Sequence, residues 1–218
     1  MKITKKNLVY CFLCICVALI GVGPAIYHSH VQADQQSNSK TTTKNKKQST
    51  TTSTKSSHMR TPIDWQKSSE TVDYPDLSKT KNFWIKVSLK KNRTYLYDGK
   101  KLIYTMYSTG GVYKRDKKTG KMVSTTPTGT FYAQSERGDS FFNNSLGEGA
   151  NYWVFWLNHG EYLFHSVPTK ADGTYNTKEA KKLGKATGSH GCIRLSVPDA
   201  KWMSQNLPVG TKIVIADN

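Results

Sequence analysis

From Phe83 onward the chain is written in short runs of aromatic and β-branched residues separated by turn residues. That texture specifies strands and leaves room for few helices. Residues 85–89 alternate apolar and polar side chains, and the apolar runs 94–97 and 102–107 flank an Asp98-Gly99 pair. Two such runs around Asp-Gly predict a hairpin. Residues 128–132, 152–156, 161–164 and 211–215 continue the pattern, and Trp153 and Trp156 read as sheet packing. One helix interrupts it. Ser196 is a good N-cap with Asp199 three residues on; Val197, Ala200, Met203 and Leu207 share a helical face, and Pro208 and Gly210 end it. A weaker helix is predicted over residues 177–183, and the polar stretch 136–149 reads as a lid or a surface loop. The expectation is a mainly β fold: mixed β-sheets with one or two short helices in a single domain over residues 83–218, a usual size for one core.

The rest of the chain is different in kind. Lys2, Lys5 and Lys6 precede an uncharged apolar stretch over residues 8–27, and Val31-Gln32-Ala33 resembles a small-residue cleavage site. Residues 1–33 therefore read as a signal peptide or an N-terminal membrane anchor, and either would carry the remainder of the chain across the cytoplasmic membrane. Residues 34–60 are dominated by Ser, Thr, Lys and Gln and hold no aromatic residue. Such a stretch cannot bury enough surface to offset its ordering entropy and reads as a disordered linker. Residues 61–82 carry Trp65, Tyr74 and Leu77, which predict a strap packed on the domain. The formal net charge of +17 fits anionic partners such as a wall polymer, or tails that keep an exported chain soluble. Nucleic acid is not expected, because the basic residues are spread out and the chain is exported.

Cysteine usage narrows the chemistry. Cys11, Cys14 and Cys16 lie in the N-terminal apolar run, and Cys192 is the only other cysteine. No disulfide framework can form in the domain. Cys192 lies in Ser189-His190-Gly191-Cys192-Ile193-Arg194-Leu195, between a loop containing Gly184 and Gly188 and the capped helix. A cysteine after a tight glycine turn can present its sulfur and its backbone N–H on one side, a nucleophile and an oxyanion donor for acyl transfer. A base or cation must raise the thiolate fraction at neutral pH. His165 follows the apolar run 162–164, which would hold it on a rigid element. His190 is two residues from the thiol, and His159 beside Asn158 and Gly160 reads as a hairpin-turn residue. Cys192, His190 and His165 are chemically adequate zinc ligands, but no C-x-x-C or H-x-x-x-H spacing supports a metal. No metal and no cofactor are expected.

The motif and its surroundings resemble the L,D-transpeptidase (YkuD-like) catalytic domain. Its signature is an upstream His, a spacer, then Ser/Thr-His-Gly-Cys, a hydrophobic residue and Asn or Arg. His165 matches the upstream histidine and Ser189 to Arg194 the remainder. Ser108-Thr-Gly110 and Thr126-Pro-Thr-Gly-Thr-Phe131 resemble the family's first turns, and Asp199 to Trp202 and Leu207 to Thr211 its closing helix and strand.

The resemblance implies an enzyme: a peptidoglycan L,D-transpeptidase forming 3→3 cross-links through a Cys192 thioester with a tetrapeptide stem. A carboxypeptidase using water, or a silent wall-binding module, are the alternatives. It implies Cys192 as nucleophile, His165 as base, Ser166 orienting His165 through its carbonyl, and His190, Gly191 and the Cys192 N–H shaping the oxyanion pocket. Arg194 would fix the loop or meet a substrate carboxylate, with Ser189 and Tyr152 also on the substrate side. One departure stands out. The 23 residues between His165 and Ser189 exceed the family's shorter spacers. The insert, residues 168–185, is expected to loop over the cleft rim at little cost.

Overall fold

A computed structural model describes residues 58–218. The expectations for residues 1–33 and 34–57 lie outside the described residues. Strands dominate: β1 Phe83–Ser88, β2 Arg93–Asp98, β3 Lys101–Thr109, β4 Tyr113–Arg115, β5 Met122–Ser124, β6 Gly129–Tyr132, β7 Arg137–Asn143, β8 Glu148–Leu157, β9 Tyr162–Ser166, β10 Ile193–Leu195 and β11 Lys212–Ala216. Two helices join them, α1 Thr177–Ala180 and α2 Val197–Asn206. Nine strands form one mixed sheet in the order β6-β11-β1-β2-β3-β10-β9-β8-β7, and β4 pairs with β5 apart from it. The β1/β11 and β9/β10 pairs are parallel.

Period-two alternation decides which face of the sheet is dry. Ile85, Val87, Leu96, Met106, Phe164, Ile193, Leu195, Ile213 and Ile215 all turn to one side and are buried there. The sheet curls around that side and α2 fills the curl with Ala200, Met203 and Leu207. The Ser196 side chain accepts from the Asp199 N–H at the helix start, with Pro198 in the first turn. The hairpin turn follows Asp98, with Gly99 at φ +55°, a conformation suited to glycine.

The segment before β1 is a strap. Tyr74 stacks on Trp202 and donates its hydroxyl to Asp199 (2.7 Å). Trp65 packs on Tyr175, and its carbonyl accepts the Val197 N–H. Leu77 is half-buried in a short 3-10 turn. The strap also satisfies backbone donors that β10 leaves unpaired, because β10 is registered only against Ser108 and Thr109 of β3. Further along β3, the Thr105 N–H donates to Glu70 Oε1 (2.8 Å) and the Tyr107 N–H to Ser69 Oγ (2.7 Å). Buried N–H groups without partners are costly, so these two side chains stand in for a missing strand. The pairing starts earlier than the composition suggests: Met59 bridges Glu70, and the Arg60 N–H donates to the Ser69 carbonyl.

Two sequence expectations are corrected. Residues 136–149 are not a loop: most of them form β7 and the hairpin into β8. The 168–185 insert does not simply loop out. Thr169 bridges Gly149 and Tyr175, and Ala180 and Leu183 are buried in a second small core with Tyr107 and Val167.

Candidate active site

The parallel β9/β10 pair builds the site. Its register sets Phe164 opposite Ile193, His165 opposite Arg194 and Ser166 opposite Leu195. Phe164, Ile193 and Leu195 face the core. Leu163, His165, Cys192 and Arg194 therefore share the opposite face, and all four line one cleft of about 300 Å³. Phe141, Leu146, Trp153 and Phe155, from β7, the β7–β8 turn and β8, give the cleft an apolar wall.

The Cys192 loop is held from three sides. Ser189 Oγ donates to the Cys192 carbonyl (2.6 Å) and accepts the Gly191 N–H (3.1 Å). Thr126 Oγ1 donates to the Gly191 carbonyl (2.7 Å) and accepts the Gly111 N–H (2.8 Å). The N–H groups of Gly188 and Ser189 donate to the Gly110 carbonyl. Gly191 has φ +153°, and a Cβ there would come within 2.7 Å of the Tyr162 ring, so the turn requires glycine. The two turns around Gly110 and Thr126 are thus clamps on the cysteine loop.

Cys192 is half-buried, its sulfur 3.7 Å from the Glu161 carbonyl. Burial pushes the thiol up to about 11, against the main-chain N–H groups of Leu163 and Cys192 and the Arg194 charge, which favour the thiolate. His165 is 6% exposed, and its Nδ1 lies 2.7 Å from the Ser166 carbonyl oxygen. Phe141 meets its ring edge-on at 5.8 Å between centroids. Burial, then the Arg194 charge, lowers His165 to about 3, although the bond to Ser166 opposes this. Both shifts favour a neutral thiol and a neutral imidazole in the resting site.

Arg194 is 2% exposed and sits between two carboxylates, Glu148 Oε2 at 2.7 Å and Glu179 Oε2 at 2.8 Å. Lys182 also pairs with Glu179 (2.6 Å). A buried cation is tolerated only when so paired. Glu179 is on α1, so the insert is wired into the cleft floor through Arg194.

Three expectations are refined. Ser189 lines the cleft, but its hydroxyl is committed to the loop and it is 2% exposed. The Gly191 N–H is taken by Ser189 and is not a free oxyanion donor; the main-chain N–H groups of Leu163 and Cys192 favour the thiolate. Tyr152 lies outside the cleft, in a depression with Lys201, whose ammonium is 5.7 Å from its ring centroid. His190 is largely exposed at the cleft edge, its Nδ1 3.9 Å from Glu148. Ser166 accepts the Asn151 N–H on its hydroxyl (3.0 Å) while its carbonyl holds His165. His159 occupies the β8–β9 turn, against Glu136 at 2.5 Å. Glu148 and Glu179 were not foreseen; only the fold brings them to Arg194. Among the described residues no three His, Cys, Asp or Glu side chains gather in a way that could hold a metal ion.

The fold and site together define a class: a curled mixed sheet whose central parallel strands bring a cysteine and a histidine into one cleft. Residues 82–215 match the family model described as YkuD, L,D-transpeptidase catalytic domain. The chain is 47% identical over 157 residues to the provisionally named L,D-transpeptidase YciB of Bacillus subtilis (strain 168), covering 72% of this chain and 76% of that one. Among solved structures it resembles a fused Zn-dependent amidase/peptidase/peptidoglycan-binding domain-containing protein from Clostridium acetobutylicum ATCC 824. That match is 33% identical, covers 62% of this chain and 52% of the other, and has a TM-score of 0.44. An L,D-transpeptidase from Mycobacterium smegmatis is 20% identical over 62% of this chain and 58% of its own, with a TM-score of 0.46. The chain thus spans between 52% and 58% of the length of these two solved structures. The chain belongs to the L,D-transpeptidase catalytic-domain family.

Proposed function

We propose that this protein is a peptidoglycan L,D-transpeptidase that works through a thioester on Cys192. The observation that carries the reading is the β9/β10 register, with His165 and Cys192 on one face of a parallel pair in one cleft. The Ser166 carbonyl can only accept, so the Nδ1 of His165 bears the proton and Nε2 is the lone pair available as base. A tetrapeptide stem enters along the apolar wall. Cys192 Sγ attacks the carbonyl carbon of the third residue as its proton passes to His165 Nε2. The Cys192 backbone N–H stabilises the oxyanion. The intermediate collapses, the C–N bond to the terminal D-Ala breaks, and the imidazolium protonates the departing amine. Arg194 beside His165 makes that imidazolium a strong acid, which favours the transfer.

In the second half, the side-chain amine of a neighbouring stem attacks the thioester, His165 takes its proton, and the sulfur leaves and is reprotonated. The product is a 3→3 cross-link. Water in place of the amine gives an L,D-carboxypeptidase. Reading residues 1–33 as a signal or anchor puts this chemistry outside the cytoplasmic membrane, with the domain secreted or tethered and acting on stem peptides. Incubating the purified protein with tetrapeptide stems and reading products by mass tests the proposal. Cross-linked dimer with free D-Ala supports transfer, tripeptide alone supports hydrolysis, and unchanged stems contradict both.

A further inference from the structure

The sheet has a second surface that the cysteine chemistry does not use. Tyr132, Lys212, Trp84 and Tyr97 are direct cross-strand partners on the four adjacent strands β6, β11, β1 and β2. The next row in the same register is Thr130, Val214, Lys86 and Tyr95. In-register partners point to one face. Their neighbours Ile85, Leu96 and Ile213 fill the core, so both rows face outward. At the spacing of neighbouring strands, each row runs about 14 Å across the sheet.

The chemistry of this face is specific. The Trp84 and Tyr97 rings stack, with centroids 4.7 Å apart and planes 13° apart, and Tyr95 adjoins at 6.5 Å. The Trp84 indole N–H donates to the Gly99 carbonyl (2.8 Å), which fixes its plane. Tyr132, at 58% exposed, stands at the other end of the row with Lys212 between. Flat aromatic faces on a rigid sheet suit the C–H faces of sugar rings, and interleaved ammonium groups suit carboxylates on the same polymer. The nearby carboxylate of Asp98 is occupied by the Lys81 and Asn82 N–H groups, and that of Asp217 by Lys90 and Tyr113.

The register also relates this face to the cleft. Lys86 pairs with Tyr95, Tyr95 with Thr105, and on the same side of β3 Thr109 pairs with Arg194, which pairs with His165. The aromatic rows and the cleft therefore share one face of one sheet. They are separated where β3 is covered: Glu70 and Ser69 of the strap bond its backbone, and Leu183 of the insert packs with Tyr107.

We propose that the Tyr132–Lys212–Trp84–Tyr97 row, with Lys86, is a docking surface for stem-free stretches of the polymer's glycan strand, where the sugar carboxyl group that elsewhere is amide-linked to a stem is free and charged. The proposal rests on the peptidoglycan reading of the cleft, and it gives the enzyme a grip on the polymer that is independent of the stem.

The test is binding of the full chain to peptidoglycan glycan strands freed of their stems, beside uncharged chitin oligosaccharides and polyglutamate. Stem-free strands should bind best, and binding should weaken with salt. Lys86→Glu/Lys212→Glu should weaken it by about tenfold or more and Tyr132→Ala by several-fold, each to be shown folded by circular dichroism. Release of D-Ala from short soluble tetrapeptides should be unchanged in all variants. Wild-type affinity in these variants overturns the surface. Equal binding of polyglutamate reduces it to charge alone, equal binding of chitin oligosaccharides removes the lysines' role, and either result overturns it as stated. Failure of wild type to process soluble stems would count against the cleft reading and leave the binding result standing.

Discussion

The Nδ1 atom of His165 lies 2.7 Å from the main-chain carbonyl oxygen of Ser166. A carbonyl cannot donate, so this contact fixes one neutral tautomer and leaves Nε2 as the base. Burial and the Arg194 charge hold the ring near 3, against an ordinary 6.5. Above pH 6.5 folded and unfolded chains both carry it neutral, and it adds no pH dependence. Between 6.5 and 3 the unfolded chain gains a proton that the folded one refuses, so stability falls with pH. Unfolding free energy should drop by on the order of 3 kcal/mol between pH 6.5 and 4 from this group. Denaturant unfolding of His165→Gln should show a flatter dependence over that window; an unchanged slope would contradict the assignment.

The half-buried Cys192, whose thiol desolvation pushes up to about 11, should be quiet until substrate arrives. Iodoacetamide should alkylate Cys192 at pH 7 more slowly than it alkylates free cysteine, with the rate still rising past pH 9. His165→Ala should abolish turnover while changing that resting rate little. A rate that levels off below pH 6 would mean a preformed thiolate–imidazolium pair in place of the neutral resting site.

Arg194 joins three parts of the cleft: its own strand, Glu148 of β8 and Glu179 of the insert. Arg194→Ala leaves the two carboxylates without the guanidinium between them, with Lys182 beside Glu179 and the exposed His190 beside Glu148, and should cost about 3–5 kcal/mol. Arg194→Lys should recover little, because one ammonium cannot span both partners as the guanidinium fork does. Glu179→Gln should cost less, about 1–2 kcal/mol, because Glu148 remains paired to Arg194. Urea unfolding of the three variants gives the order; a lysine variant as stable as wild type would contradict it.

Asp199 anchors the strap, accepting from Ser69 Oγ at 2.5 Å and Tyr74 at 2.7 Å inside the protein. Asp199→Ala should cost about 2–4 kcal/mol. Limited proteolysis should then cut within residues 58–82 before the rest of the domain. Equal protection of that segment in mutant and wild type would show that the strap is held elsewhere.

The sequence carried the strands that alternate cleanly, such as β1 and β11, and the α2 cap at Ser196, because in each a local pattern sets the outcome. It missed β7, whose Arg137-Gly-Asp-Ser stretch reads as a loop. As the edge strand, β7 shows little of the burial pattern that alternation relies on. It also missed β10, hidden inside the motif that drew attention for its chemistry. In the site, residue type and context singled out Cys192 and His165, and the fold brings both to one cleft. The roles of Ser189 and the Gly191 N–H were not legible, since they depend on which donor each acceptor meets in a folded turn. Glu148 and Glu179 were invisible for the same reason: they are 46 and 15 residues from Arg194, and no local spacing joins them.

The central claim is an acyl group carried on one sulfur. Intact-protein mass spectrometry of the enzyme quenched during turnover of a tetrapeptide stem tests it directly, and a carbapenem, whose ring a thiol in this family's pocket is expected to open, serves as a slower probe. A single adduct is expected, with the mass of the stem less its terminal D-Ala in the first case, mapped by peptide digestion to Cys192. The same preparation of Cys192→Ala, folded by circular dichroism, should show no adduct and no D-Ala release. Turnover by that variant, or an adduct on any other residue, would contradict the claim.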